Sequence, residues 1–100
     1  MLLISDAEYL GEYRVRFVFD NGREGMADLR AMVFDDPRSA FAPLRDVTVF
    51  RRFVLEGGVL CWPGDLDVAP EYLYFLTFRN DPGLRGLFEE WGYVKAHVAV

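Results

Sequence analysis

Residues 61–74, Cys-Trp-Pro-Gly-Asp-Leu-Asp-Val-Ala-Pro-Glu-Tyr-Leu-Tyr, constrain the fold more than any other part of this chain. Pro63 and Gly64 cannot extend a ladder, so a strand ending at Trp62 must turn there. Six residues on, Pro70 fits the first position of a helix, where its missing N–H has no partner to lose. Glu71 beside it favours the positive end of the helix dipole. Strand, turn and helix start are thus fixed within one short run.

Two hairpins precede that run. Tyr13, Val15, Phe17 and Phe19 alternate with Arg14, Arg16 and Val18, the period of a half-buried strand. Asp20-Asn21-Gly22 follows, and Asn-Gly is a strong hairpin signal because both residues accept positive φ. The first sheet is therefore expected from Leu2–Leu10, Tyr13–Phe19 and Arg23–Leu29. A second pair is expected from Val47–Leu55 and Val59–Trp62 around Gly57-Gly58, with Phe50 out of phase and suggesting a bulge. Ser39 is placed to cap a short helix carrying Phe41, Leu44 and Arg45, which Pro43 limits to a turn or two. Tyr72–Phe78 is apolar throughout, and Pro70 tips it to helix. Leu84, Leu87, Phe88 and Trp91 recur at helical spacing from Pro82 or Gly83 onward, and Gly92 suits the C-terminal cap. The tail Tyr93–Val100 alternates loosely and reads as a candidate strand for a sheet edge, including that of another copy. The fold class is α+β: one small domain over residues 1–100, with an antiparallel sheet built from two hairpins, short helices and a C-terminal amphipathic helix.

Composition narrows the function classes. At 100 residues the chain buries roughly 65% of the surface it exposes when unfolded. Sixteen aromatics in so small a body leave apolar surface for a partner to cover. A homodimer is the expected consequence. The formal charge of −5, with Lys95 the single lysine, argues against direct nucleic-acid binding and is compatible with a small basic protein as partner. Cys61 is alone, Met1-Leu2-Leu3-Ile4 meets Asp6 too early for a signal peptide, and no apolar run nears the length of a membrane span. The expectation is a cytoplasmic protein without membrane contact.

The order Phe17-x-Phe19-x-x-Gly22, Asp28-Leu29, Phe41-x-x-Leu44-x-Asp46, Phe50 and Trp62-Pro63-Gly64-x-x-Asp67-x-x-Pro70-x-x-Leu73-Tyr74 resembles a small bacterial family, domain of unknown function 2442. The resemblance covers about residues 10–75 and leaves 76–100, with the C-terminal helix and tail, outside it. Its motif falls on Trp62, Pro63, Asp67, Pro70, Leu73 and Tyr74. It implies a compact α+β domain without an established activity, and for some members an antitoxin-like pairing with a small toxin. A longer polar spacer after Gly64 is usual in the family, and Asp65 follows directly here.

No residue set amounts to a catalytic centre or cofactor site, so the chain reads as a non-enzymatic interaction domain with no cofactor. Its interface is expected on Tyr72, Phe75, Phe78, Phe88 and Trp91, since aromatic anchors dominate interfaces. The rival is a metal- or metabolite-binding protein or enzyme using the Asp65/Asp67/Trp62 turn. Against it, Asp67 and Glu71 suit a helix start, and Trp62 suits the end of a core with its indole N–H on a carbonyl. Cys61 reads as a buried, inert thiol and His97 sits apart in the tail. Arg45, Arg51 and Arg52 read as a solvated strand edge.

Overall fold

The computed structural model describes residues 1–37 and 40–95. Ser39 and the tail beyond Lys95, with His97, lie outside the described residues. Strands β1 (Ile4–Gly11), β2 (Arg14–Phe19) and β3 (Glu24–Asp28) form one antiparallel sheet in that order. Helix α1 (Arg30–Phe34), a 3-10 turn (Ala42–Arg45) and α2 (Val47–Phe50) follow. Strands β4 (Val54–Glu56), β5 (Val59–Trp62) and β6 (Leu66–Val68) make a second antiparallel sheet. Helix α3 (Pro70–Phe78), a 3-10 turn (Pro82–Leu84) and α4 (Arg85–Glu90) complete the order. The α+β expectation holds, with the strands divided over two sheets joined where the Ile4 N–H donates to the Gly58 carbonyl at 2.9 Å.

The alternation in 13–19 is realised as read: Tyr13, Val15, Phe17 and Phe19 are all buried. On the opposite, solvent face Arg16 reaches Asp6, Glu8 and Glu24 at 3.4, 3.3 and 3.0 Å, one cation bridging three strands. The β1–β2 turn was not legible. Glu12 and Tyr13 both take positive φ, 54° and 64°, between the paired residues Gly11 and Arg14. Neither residue type prefers that region. Burial of the Tyr13 ring offsets the strain, and its hydroxyl lies 3.0 Å from the Leu44 carbonyl and 2.9 Å from that of Arg45, sharing one proton between them. Gly57 and Gly58 form the β4–β5 turn at φ 58° and 82°, as their type requires.

Residues 47–50 are helix, not strand. Asp46 caps them: its carboxylate accepts the Thr48 N–H at 3.0 Å and the Thr48 hydroxyl at 2.6 Å. The β-branched run Val47-Thr48-Val49 imitates a strand, but the capping carboxylate and the burial of Phe50 override that weak preference. Phe50 then looks out of phase only because no strand runs through it. Arg45, Arg51 and Arg52 accordingly lie around a helix rather than along a strand edge. Leu66–Val68, read as turn, is a third strand pairing with β5. Gly92 ends the C-terminal helical segment at φ 84°, as expected.

Pro70 opens α3 as read, but Asp67 does not cap it; the cap position is Ala69, without a side-chain bond, and Asp67 lies exposed in β6 opposite Cys61. Glu71 does sit in the first turn. Helix α3 lies against β3 at Gly25, where a Cβ would stand 2.7 Å from Thr77 Cγ2 and 3.1 Å from Phe78 Cε1. The close approach needs glycine there. Leu73 and Tyr74 enter the core with Phe88 of α4, and Tyr74 packs edge-on to Phe19 at 5.0 Å.

Candidate functional site

Between α1 and α3 runs an open groove of about 670 Å³. Met32 and Phe41 form one wall and Tyr72, Phe75 and Leu76 the other, with Asp28, Asp35 and Asp36 along the α1 rim and Arg79 on the α3 rim. The sequence builds each wall for a stated reason. On α1, Met32 and Val33 turn inward while Ala31 and Asp35 stay exposed, and Arg45 fixes the end of the helix by donating to the Val33 carbonyl at 3.1 Å and the Asp36 carbonyl at 3.3 Å. A basic side chain is well suited to the orphan carbonyls of a helix end. On α3 the apolar residues do not stop at the core-facing stripe of Pro70, Leu73 and Tyr74. Tyr72, Phe75 and Leu76 continue round the helix and remain half-buried.

Aromatic contacts hold the α3 wall in place. Phe75 stacks on Tyr93 at 5.1 Å and meets Phe88 edge-on at 5.1 Å, and Tyr72 packs against Tyr93 at 5.5 Å. Burial, then Glu71 and Tyr72, pushes the Tyr93 hydroxyl above the usual phenol range, so it stays a neutral donor. The Arg79 guanidinium lies 5.6 Å over the Phe75 ring, and Arg30 lies 5.7 Å over Tyr13, on the other flank of α1. Arg30 also lines, with Arg79, a depression beside the groove that holds Asp28 and Asp35, so the rim carries both signs of charge.

Of the five residues expected at an interface, the groove brings together Tyr72 and Phe75. Phe78 lies under Arg23 against β3, with the guanidinium 5.6 Å from its ring. Phe88 is 1% exposed and has no free ring face in the protomer. Trp91 is half-buried among Tyr74, Phe88 and Tyr93. Met32, Phe41, Leu76 and the aspartates were missed because they lie far from α3 or carry no motif. The available signal was the all-round apolar character of residues 72–78, which exceeds what one buried stripe requires.

The Trp62 turn presents a second depression, about 370 Å³, lined by Arg52, Glu56, Cys61, Trp62, Asp65 and Asp67 among others. Its tryptophan is unavailable to a ligand. The ring is 3% exposed, tilted against Phe50 and edge-on to Phe53, and the indole N–H donates to the Phe50 carbonyl at 2.7 Å. Asp65 and Asp67 are exposed, and among the described residues no group of three His, Cys, Asp or Glu is placed to hold a metal. Cys61 is half-buried rather than buried. Burial, followed by the charges of Glu56 and Asp67, pushes its thiol up, away from the thiolate a nucleophile needs.

A family model described as Protein of unknown function (DUF2442) matches residues 4–78. The chain belongs to this family. In DUF2442 terms, the motif residues of this chain are architectural: Trp62, Pro70, Leu73 and Tyr74 are buried, while Pro63 and Asp67 shape the exposed turn and strand beside them. The Tyr74 hydroxyl accepts from Asn21 Nδ2 at 3.2 Å, tying α3 to the first hairpin turn. Gly64 and Asp65 carry φ of 90° and 61°, so the short spacer after Gly64 is accommodated by two left-handed residues. No curated protein and no solved structure matches the chain. Among the described residues no helix is long and apolar enough to cross a membrane.

Proposed function

We propose that this DUF2442 chain is a non-catalytic protein-interaction domain that docks a partner in the groove between α1 and α3. One observation carries the reading: Tyr72, Phe75 and Leu76 extend the apolar surface of α3 beyond its core contacts into an open trough. Apolar residues concentrated in one concavity are what an interface core requires. An antitoxin-like pairing, which the family resemblance implies, fits the same surface. The test is affinity capture with the native chain and with Ala31→Trp, which fills the groove from an exposed position of α1. A partner identified with the native chain, reconstituted from pure components and lost with the variant, is the expected result. Equal capture by both proteins would overturn the assignment of the groove.

Self-association is a second reading, favoured by a different patch. Phe34 and Val47, 42% and 40% exposed, flank a depression of about 500 Å³ on the far side of α1, with Tyr13 at its base. Sedimentation of the native chain against Phe34→Lys decides it. A dimer that the substitution turns into monomer supports the reading; a monomer in both cases removes it.

A further inference from the structure

We infer that two copies of this chain meet across a two-fold axis at the Phe34–Val47 depression, with Arg30 of each copy paired to Asp35 of the other. The inference rests on the self-association reading above and adds how the copies meet. Arg30, Phe34, Asp35, Arg45 and Val47 line the depression, with Tyr13 below them. Phe34 meets the Tyr13 ring edge-on at 5.2 Å and Arg30 lies 5.7 Å over it, so both side chains stand on the Tyr13 flank of α1. Yet among the described residues no carboxylate pairs with the Arg30 guanidinium, and no cation pairs with the Asp35 carboxylate. Asp28 accepts the Arg30 backbone N–H at 2.9 Å instead of its side chain. Arg79, which lines a neighbouring depression with Arg30 and Asp35, stands over Phe75. Arg30 opens α1 and Asp35 ends it, whereas side chains meet along a helix at three- or four-residue spacing. The two charges are complementary but do not close on each other.

A two-fold contact uses the same patch on both copies, so that patch must hold an apolar centre and both signs of charge. Setting α1 of one copy antiparallel to α1 of the other places Arg30 opposite Asp35 at each end, with the exposed Phe34 and Val47 between them. The third charge of the lining, Arg45, donates to the Val33 and Asp36 carbonyls at 3.1 and 3.3 Å and is directed to the end of α1. Net charge favours the same place. Two chains of formal charge −5 repel at long range, so they meet most readily where the surface is not acidic. This lining carries Arg30 and Arg45 against Asp35 alone.

The test is dimer affinity by sedimentation equilibrium for the native chain, Arg30→Asp, Asp35→Arg and an equimolar mixture of the two variants. Each variant alone sets like charges opposite one another at both ends of the contact. It is expected to weaken the dimer about tenfold or more, since every substitution counts twice across the axis. In the mixture the two acids of one chain face the two bases of the other, and a heterodimer within about threefold of the native affinity is expected. The chain carrying both exchanges is expected to dimerise alone as the native one does. Lost packing within a protomer would not be repaired by mixing. A mixture no tighter than its components, with Phe34→Lys still dissociating the native dimer, overturns the pairing and leaves self-association standing. Single variants as tight as the native chain, with Phe34→Lys still effective, do the same. A native chain that is monomeric at millimolar concentration overturns both, as does a native dimer that neither Phe34→Lys nor the charge reversals weaken. If a charge reversal does not fold, Arg30→Gln replaces it: a dimer weakened about threefold is expected, and an unchanged one overturns the pairing.

Discussion

The Trp62 turn and the α1–α3 groove are both concave and partly aromatic, yet they use their rings in opposite ways. At the turn the ring is turned inward: Trp62 is buried, packed against Phe50 and Phe53 and hydrogen-bonded to the Phe50 carbonyl, so nothing aromatic remains for a ligand. In the groove Tyr72 and Phe75 are anchored by Tyr93 and Phe88 on one side and stay half-accessible on the other. The lesson is that the segment with the most recognisable sequence marks how the domain is built. The surface suited to a partner takes only Tyr72 from that segment and draws its other residues from elsewhere in the chain.

Substitutions at the two places should separate stability from docking. Trp62→Ala is expected to cost about 3–5 kcal/mol of folding stability in urea denaturation, the range for truncating a buried large aromatic. Phe75→Ala, in the half-buried groove wall, is expected to cost about 1–2 kcal/mol, less than a full core truncation, while weakening partner affinity. If the two substitutions destabilise equally, the contrast between an internal and an outward-facing ring fails. Next in size, Gly25→Ala pushes a methyl toward Thr77 and Phe78 and should cost about 1–3 kcal/mol by overpacking, because it strikes the seam that sets where α3 stands. A neutral result would mean that α3 shifts freely, and that the groove wall is not fixed by β3.

The hairpins at Asn21-Gly22 and Gly57-Gly58, the inward row Tyr13 to Phe19 and the helix start at Pro70 were legible because each rests on local chemistry. What escaped was set by distant contacts. Val47–Phe50 carries strand-like residues yet folds as helix once Asp46 caps it and Phe50 finds the Trp62 ring at 5.8 Å. Glu12-Tyr13 gives no turn signal, since its strained backbone is held by the buried Tyr13 ring and two carbonyls from residues 44–45. The groove was half visible: Tyr72 and Phe75 could be named from composition. Their opposing wall joins residues 28–41 to them only through the tertiary fold.

Smaller effects sharpen the same picture. Tyr13→Phe removes the shared hydroxyl bond and leaves two carbonyls without it, an expected loss of about 1–2 kcal/mol measured by thermal or urea unfolding. No change would mean that the strained turn does not depend on that bond. Smaller still is the acid response. Asp46, held by Thr48, and Asp81, held by Arg23 and the Gly83 N–H, both have carboxyls below the usual carboxylate range. A depressed folded-state value contributes stability above the unfolded value and loses it as pH falls through the folded one. Unfolding midpoints should therefore slip as pH drops below the ordinary carboxylate range, and Asp46→Asn with Asp81→Asn should flatten the slope. A slope unchanged in the double variant would contradict that origin.

The three methionines offer the most direct test of the groove itself. Met32 lines it, whereas Met26 stands 48% exposed on the first sheet and Met1 at the chain start. Spectra of the chain labelled with ¹³C in the methionine methyls, titrated with a short Leu- and Phe-containing peptide, should show the Met32 signal moving to saturation while Met26 and Met1 stay still. A stationary Met32 at saturating peptide, or equal movement of all three, would contradict docking between α1 and α3.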